Sequence, residues 1–153
     1  MIILCIKTSQ DMQNALLAAC QNAGKALCTQ EQWERACRGS ENLYYPYGDD
    51  FISTSCNGFL NYSEEKPSST GSLKSCGSSY GVYDLSGNVE EWIETATESV
   101  IGSGVNDHRL IRGGSYASNK MGLACTGDMF HAAPAQTNPD RGFRCCMDVP
   151  DGL

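Results

Sequence analysis

Apolar residues recur with helical spacing only near the start of the chain. Thr8 or Ser9 is suited to cap a first helix, and Gly24 is suited to end it, because glycine readily adopts the left-handed conformation found just past helix ends. The apolar positions of this helix, spaced i, i+3 and i+4, are Met12, Ala15, Leu16, Ala19 and Cys20.

A short strand and a second helix are predicted next. The strand is KALC, and the TQEQ that follows has capping-box spacing from Thr29 to Gln32. The helix ends at Gly39, and its apolar face consists of Trp33, Ala36 and Cys37.

Regular periodicity largely disappears after the second helix. The chain from Ser40 to Gly81 is rich in Gly, Ser, Asn, Pro and Tyr, and it predicts short strands at most. A brief helix is predicted after Asn88. Two later segments, RLIRGGSY and RGFRCC, are typical of core strands broken by glycine turns. An irregular stretch this long is usually held together by disulfides or bound ions.

The segment GVYDLSGNVEEW contains the oxygen ligands that calcium prefers. Calcium takes roughly six to eight oxygens from carboxylates and backbone carbonyls. Asp84 and Glu91 offer carboxylates, and the glycine turn between them exposes the carbonyls of Gly87 and Val89. The competing interpretation is that Gly87 and Asn88 simply turn the chain, with Glu91 at the start of a helix.

Composition and charge exclude several classes of partner. The 153 residues are enough for one folded domain, with residues 149–153 as a tail, and 41% of them are hydrophobic. The net charge of −7 and the scattered basic residues argue against nucleic-acid binding, which needs clustered Lys and Arg. No apolar stretch is long enough to span a membrane.

Cysteine is abundant. No CxxC pair occurs, and His108 and His131 are the only histidines, so a structural zinc site is not expected. Oxidised pairs in a secreted, periplasmic or cell-surface protein fit better. The nine positions are 5, 20, 28, 37, 56, 76, 125, 145 and 146, and this odd number leaves at least one thiol over.

Four segments, in this order, resemble the formylglycine-generating enzyme (sulfatase-modifying factor) family. They are AGKALCTQEQWERACRG, YPYGDD with CNG, YGVYDLSGNVEEW, and RLIRGGSY leading to RGFRCC. The resemblance covers roughly residues 11–148 and implies an α+β, C-type lectin-like fold with few helices, small twisted antiparallel sheets and much irregular chain. Related domains include ligand-binding variable proteins and sulfoxide synthases, so the fold alone does not determine activity.

The resemblance also implies a further N-terminal portion before the first helix. The sequence here is shorter, and it is therefore expected to be a fragment, a minimal version, or a chain completed by a partner.

The copper chemistry of the family is not expected here. Its oxidases hold copper through two cysteines after GGSY, and these positions correspond to Ser118 and Leu123. A hydroxyl is a poor ligand for soft Cu(I), and an aliphatic side chain is none. Ser115 matches the family's active-site serine, but it lacks a neighbouring base or metal.

The same resemblance implies two disulfides, Cys37–Cys125 and Cys20–Cys145. Two further pairs are suggested by position alone: Cys56 with Cys76 across one irregular loop, and Cys28 with Cys146. Cys5 is then the odd cysteine.

Calcium is the cofactor that the resemblance favours. The family's ligand positions correspond to Asp84, Gly87, Val89 and Glu91. A second family site would begin at Asn57 and Gly58, but no acid lies between Glu65 and Asp84 to complete it.

Other polar and aromatic groups have simpler interpretations. His108 and His131 lack a nucleophile motif and are expected to be surface or hydrogen-bonded residues. Tyr44, Tyr45 and Tyr47, with Pro46 among them, are expected to be core, with a sugar- or peptide-contacting surface as the alternative. Asn61–Tyr62–Ser63 is a glycosylation sequon that matters only in a eukaryotic secretory route.

The hypothesis that follows is a non-catalytic, disulfide-stapled, calcium-stabilised module. It would bind a protein, peptide or glycan on the loops between Asn106 and Arg141, where the family's active groove lies. Two alternatives stay open: an oxidoreductase of this superfamily with a different metal arrangement, and a structural subunit assembled with other chains.

Overall fold

The structure, a computed structural model, describes residues 9–59, 66–96, 109–127, 130–132 and 138–147. Within them lie two helices and six short strands. The helices are α1 (Ser9–Asn22) and α2 (Gln30–Arg38), and the strands are β1 (Ala26–Leu27), β2 (Glu90–Ala96), β3 (Arg109–Arg112), β4 (Phe130–Ala132), β5 (Arg141–Phe143) and β6 (Cys145–Cys146). The expected α+β class, with few helices and small sheets, is confirmed.

The predicted helix boundaries are close to those observed. α1 begins at Ser9, and Gly24 has the expected positive φ of 68° just past its end. Thr29 caps α2, and its side chain accepts from the backbone of Gln32 while the Gln32 side chain accepts from the backbone of Thr29. The capping box is therefore present as predicted.

Two sheets organise the strands. β1 and β6 form a two-stranded antiparallel sheet, and the larger sheet has the order β4-β3-β2-β5. In the larger sheet, β2 pairs antiparallel with β3 and parallel with β5, so this sheet is mixed, although antiparallel sheets were expected. The brief helix predicted after Asn88 is wrong, because this segment is β2 and its backbone is paired on both sides.

Four disulfides staple the fold. They join Cys20 to Cys145, Cys28 to Cys146, Cys37 to Cys125, and Cys56 to Cys76. These are the four pairs named from the sequence. Three of them connect the helical N-terminal part with segments 88 to 125 residues further along. Cross-links that close loops of this length each contribute on the order of 4–5 kcal/mol in the chain-entropy description.

The core lies between α2 and the larger sheet. Trp33 of α2 is fully buried against Leu85, Ile93 and Leu110, with cysteines 28, 37 and 125 in the same cluster. A separate small cluster, Tyr45 with Leu123 and Ala124, fills the space between the irregular segments. No helix among the described residues is long and apolar enough to cross a membrane.

Candidate functional site

The loop before β2 is shaped by left-handed residues. Asp84, Gly87 and Asn88 have φ values of 61°, 81° and 69°. Asp and Asn tolerate this conformation better than other non-glycine residues. Glycine is also required at position 87 for steric reasons, because a Cβ there would lie 2.1 Å from the backbone oxygen of Asn57. The loop is thereby folded tightly onto the segment around Asn57.

Asp84 lies buried in this loop and fastens a neighbouring turn. Its residue exposure is 7%, and its Oδ2 accepts a 2.7 Å hydrogen bond from the backbone N–H of Gly71. Its own N–H donates to the carbonyl of Cys76. Among the described residues, Oδ2 is the carboxylate oxygen of Asp84 with a hydrogen bond.

Glu91 is the centre of a buried ionic network on β2. Its Oε2 accepts from Trp33 Nε1 at 2.8 Å and from Arg144 Nε at 2.9 Å, and its Oε1 accepts from Arg144 Nη2 at 2.8 Å. Arg144 Nη2 also donates to the carbonyl of Tyr83. Burial alone lowers the pKa of Arg144, but the Glu91 and Asp84 carboxylates outweigh burial, so the pKa is raised.

The residues at the four predicted calcium positions differ in how many hydrogen bonds their carboxylates already accept. The Asp84 carboxylate accepts one hydrogen bond, from the N–H of Gly71. Glu91, by contrast, already has three donors. No group of three or more His, Cys, Asp or Glu side chains suited to a metal is found among the described residues. The donor set fits calcium only in part, through one carboxylate and two carbonyls.

The predicted second calcium positions have packing roles. Asn57 Nδ2 donates to Asn88 Oδ1 and to the carbonyl of Lys66, and its backbone oxygen accepts from the N–H of Asn88. A Cβ on Gly58 would lie 2.4 Å from a methyl group of Leu123. Both residues hold irregular segments together in the structure.

Sequence reasoning missed Asn88 and Arg144. The Asn88 side chain bonds Asn57 and Ser68, while its carbonyl accepts from the N–H of Tyr116, so it links three segments. An Asn directly after a turn glycine was the available signal for it. For Arg144 the available signal was a basic residue directly before the two cysteines of RGFRCC.

The two positions that correspond to copper cysteines are occupied by packing and turn residues. Leu123 is 3% exposed and packs against Tyr45 and Ala124. Ser118 Oγ accepts from the N–H of Ser115 and so closes a tight turn. All cysteines within the described ranges are in disulfides. That part of the chain therefore has no free thiolate for Cu(I).

Ser115 is enclosed. It is 2% exposed, its Oγ donates to Asp140 Oδ2 at 3.3 Å, and the same Oγ accepts from the N–H of Ala117. None of the contacts found for it involves a histidine or a thiol. The hydroxyl is thus held between the Asp140 carboxylate and the turn at Ala117.

The remaining predicted residues have mixed outcomes. Tyr45 is buried as expected and stacks on the half-buried Tyr47, but Tyr44 is 46% exposed. Only the backbone of His131, in β4, is described. The other predicted features lie outside the described residues: Cys5, His108, the sequon at 61–63 and the tail at 149–153.

Comparison with known proteins decides the family. Residues 14–149 match the sulfatase-modifying factor enzyme 1-like domain, the FGE-sulfatase family. The chain belongs to this family. The resemblance that the four sequence segments indicated is therefore confirmed across nearly the whole chain.

Individual relatives of this FGE-sulfatase chain include proteins of different kinds. It is 32% identical over 139 residues to the serine/threonine-protein kinase pkn1 of Chlamydia caviae, covering 82% of the chain and 21% of that protein. It is 30% identical over 146 residues to the inactive C-alpha-formylglycine-generating enzyme 2 of Bos taurus, covering 86% and 47%. The chain thus spans between a fifth and a half of these relatives.

A solved structure confirms the fold of the family. PvdO from Pseudomonas aeruginosa superposes with a TM-score of 0.68 at 21% identity, covering 88% of this chain and 57% of PvdO. At that identity the similarity shows the fold alone.

Proposed function

We propose that this domain is a non-catalytic binding or structural module. The observation that carries the proposal is the structural role of the two residues at the positions matched to copper cysteines. Leu123 is a core side chain, and Ser118 closes a turn. The similarity to a mammalian relative named as an inactive formylglycine-generating enzyme supports the same conclusion.

The partner is a protein, peptide or glycan that contacts the loops between Asn106 and Arg141. Exposed side chains beside this region support the proposal. Phe59 is 47% exposed and its N–H donates to the carbonyl of Ser118, while Met121 is 60% exposed. Tyr44 is exposed as well, and its carbonyl accepts from the N–H of Cys125. Aromatic and methionine side chains are enriched at protein interfaces.

Calcium is the proposed cofactor, and its role is structural. Asp84 and the carbonyls of Gly87 and Val89 would supply oxygen ligands, with Glu91 as the fourth position implied by the family. When bound, the ion neutralises buried carboxylate charge and cross-links the loop before β2. The residues of the chain itself hold the loop in its tight conformation through Asn57 and Gly71.

The proposed location is outside the cytoplasm. Four disulfides support it, since such bonds persist in oxidising compartments and are rare in reducing ones. The secreted, periplasmic and cell-surface locations share this chemistry.

Metal analysis of the purified, oxidised protein tests the proposal. We expect no stoichiometric copper or iron, no oxygen consumption with a thiol substrate, and loss of thermal stability when a chelator removes calcium. The matched control is the double substitution Ser118→Cys and Leu123→Cys, which restores both thiols. Stoichiometric copper with oxygen consumption by the unmodified chain would support an oxidoreductase instead, and a stable monomer would count against a subunit role.

A further inference from the structure

The short strand β6 carries two of the four disulfides on adjacent residues. Cys145 is bonded to Cys20 near the end of α1, and Cys146 is bonded to Cys28, directly after β1. Adjacent residues of a strand point to opposite faces. These two bonds, the β6 disulfides, therefore hold the strand from both sides.

Exposure separates the β6 disulfides from the other two. Cys145 and Cys146 are both half-buried. Their partners and the four cysteines of the other two disulfides are each no more than 4% exposed. Thiol–disulfide exchange requires a thiolate to reach a sulfur atom, so access controls its rate. A reductant therefore enters at Cys145 and Cys146 before it reaches the remaining bonds.

The β6 disulfides close almost the same stretch of chain. Their sequence separations are 125 and 118 residues. While one bond is intact, opening the other frees only the short connection between Cys20 and Cys28, and a short connection adds less loop-closure entropy than a long one. The strand is therefore released from its covalent attachment only when both bonds are reduced.

Apart from its disulfides, β6 is a small element. It pairs with the two residues of β1, and a two-stranded sheet alone is marginally stable in water. The residue directly before it, Arg144, binds both carboxylate oxygens of Glu91 and the carbonyl of Tyr83. The β6 disulfides thus hold the backbone that positions this guanidinium.

The other two disulfides attach different parts of the fold. Cys37–Cys125 joins α2 to the segment after β3, and Cys56–Cys76 closes an irregular loop. Trp33 of α2 lies in the apolar cluster between this helix and the larger sheet. This core keeps its own cross-link when the β6 disulfides are open.

We propose that β6 is a redox-sensitive clasp: a dithiol reductant that opens both β6 disulfides detaches the strand and withdraws Arg144 from Glu91, while α2 stays packed on the larger sheet. This regulatory device goes beyond the proposed function and does not depend on the identity of the partner.

The reduction of each β6 disulfide balances in two exchange steps. A thiolate of the reductant attacks the sulfur of Cys145 or Cys146 and forms a mixed disulfide, and the buried partner cysteine leaves as a thiolate. The second thiol of the reductant then displaces the strand cysteine and closes the reductant's own disulfide. Each protein disulfide thereby gains two electrons and two protons, and one dithiol is oxidised.

Cysteine labelling during graded reduction tests the order in which the disulfides open. The oxidised chain is treated with a maleimide to block any free thiol, then with increasing dithiothreitol and a heavier maleimide, and mass spectrometry locates the second label. We expect the cysteines of the β6 disulfides to be labelled about tenfold faster than the others. Equal or faster labelling of Cys37–Cys125 or Cys56–Cys76 would overturn the proposal.

Backbone hydrogen exchange tests the release of the strand. In the chain with both β6 disulfides reduced and alkylated, we expect amides of β1 and of the segment from Arg141 to Met147 to exchange about tenfold faster or more, since local opening sets the exchange rate. The amides of α2 should change by less than about threefold. Unchanged exchange in β6, or an equal increase in α2, would refute the clasp, because the second result means that the whole domain unfolds.

Variants that remove one bond at a time test whether both must open. Each should keep the slow exchange of β6, because the other bond still holds the strand; they are Cys20→Ser with Cys145→Ser, and Cys28→Ser with Cys146→Ser. The matched control, Cys56→Ser with Cys76→Ser, removes a disulfide elsewhere and should also leave β6 unchanged. Release of β6 by the loss of a single bond would contradict the proposal. If a serine variant does not fold, the singly reduced species, trapped by alkylation from the unmodified chain, provides the same comparison.

Discussion

Two neighbouring regions contain the positions for which the family resemblance implies metal ligands, and the side chains in these two regions have different partners. The loop before β2 keeps its buried carboxylates, and the Glu91 carboxylate is satisfied by Arg144 and Trp33. The segment from Ser115 to Leu123 has instead no cysteine at the two positions that the family resemblance matches to copper ligands. There a leucine fills apolar space and a serine closes a turn. The role of a residue at a position matched to the family therefore depends on the residues that it contacts in the fold.

The two regions share one backbone frame. The N–H of Gly87 donates to the carbonyl of Gly113, and the N–H of Tyr116 donates to the carbonyl of Asn88. These backbone hydrogen bonds, 2.7 and 3.1 Å long, hold the two regions against each other.

The largest effect is expected from Glu91→Gln. The substitution removes the counter-ion of Arg144, whose side chain is 23% exposed, and it replaces a buried carboxylate that accepts three hydrogen bonds. We expect the free energy of unfolding to fall by about 3 kcal/mol, the low end for a broken buried pair, because Arg144 keeps some access to water. Denaturant unfolding with the disulfides intact measures it. Glu41→Gln is the control, because Glu41 is exposed and its loss should cost within about 0.5 kcal/mol. Equal effects of the two substitutions would mean that the buried network is not a source of stability.

Leu123→Ala should have the next largest effect. It removes the apolar contact with Tyr45 and the close packing on Gly58, and we expect a loss of about 2–3 kcal/mol. Met121→Ala is the control, since that side chain is 60% exposed and should matter little. A loss under about 1 kcal/mol for Leu123→Ala would contradict its assignment as core.

Local features of the fold were the most predictable from sequence. The capping box from Thr29 to Gln32 needs only neighbouring residues, and the left-handed Gly24 follows from the absence of a Cβ. The disulfide pairs were accessible for a different reason. Two followed from family resemblance and the other two from the position of the cysteines left over.

Features that depend on distant partners were not predictable. The segment EEWIETA was expected to begin as a helix, but pairing with β3 and β5 makes it a strand. The ion pair of Glu91 with Arg144 was not predicted, because the two residues lie 53 positions apart in the sequence. The pattern of residues within one segment does not indicate which distant basic residue will pair with a carboxylate of that segment.

Asn88→Ala should disturb both regions, with a smaller loss of stability than Leu123→Ala. It removes side-chain bonds to Asn57 and Ser68, and we expect a loss of about 1–2 kcal/mol beyond the backbone cost. Asn42→Ala is a matched control, because Asn42 has a similar φ of 61° but is exposed. The difference between the two variants in unfolding free energy measures the hydrogen bonds alone. No difference between them would show that Asn88 contributes only its backbone conformation.

Ser115→Ala should have the smallest effect. Its hydroxyl donates to Asp140 over 3.3 Å and accepts from Ala117 at the same distance, so both bonds are long. We expect a loss of about 0.5–1 kcal/mol in unfolding free energy, and no change in partner binding or in metal content. In an active oxidase of this family the matching serine belongs to the active site. A change in metal content or oxygen consumption on Ser115→Ala would therefore show that this region has kept chemistry that its packing argues it has lost.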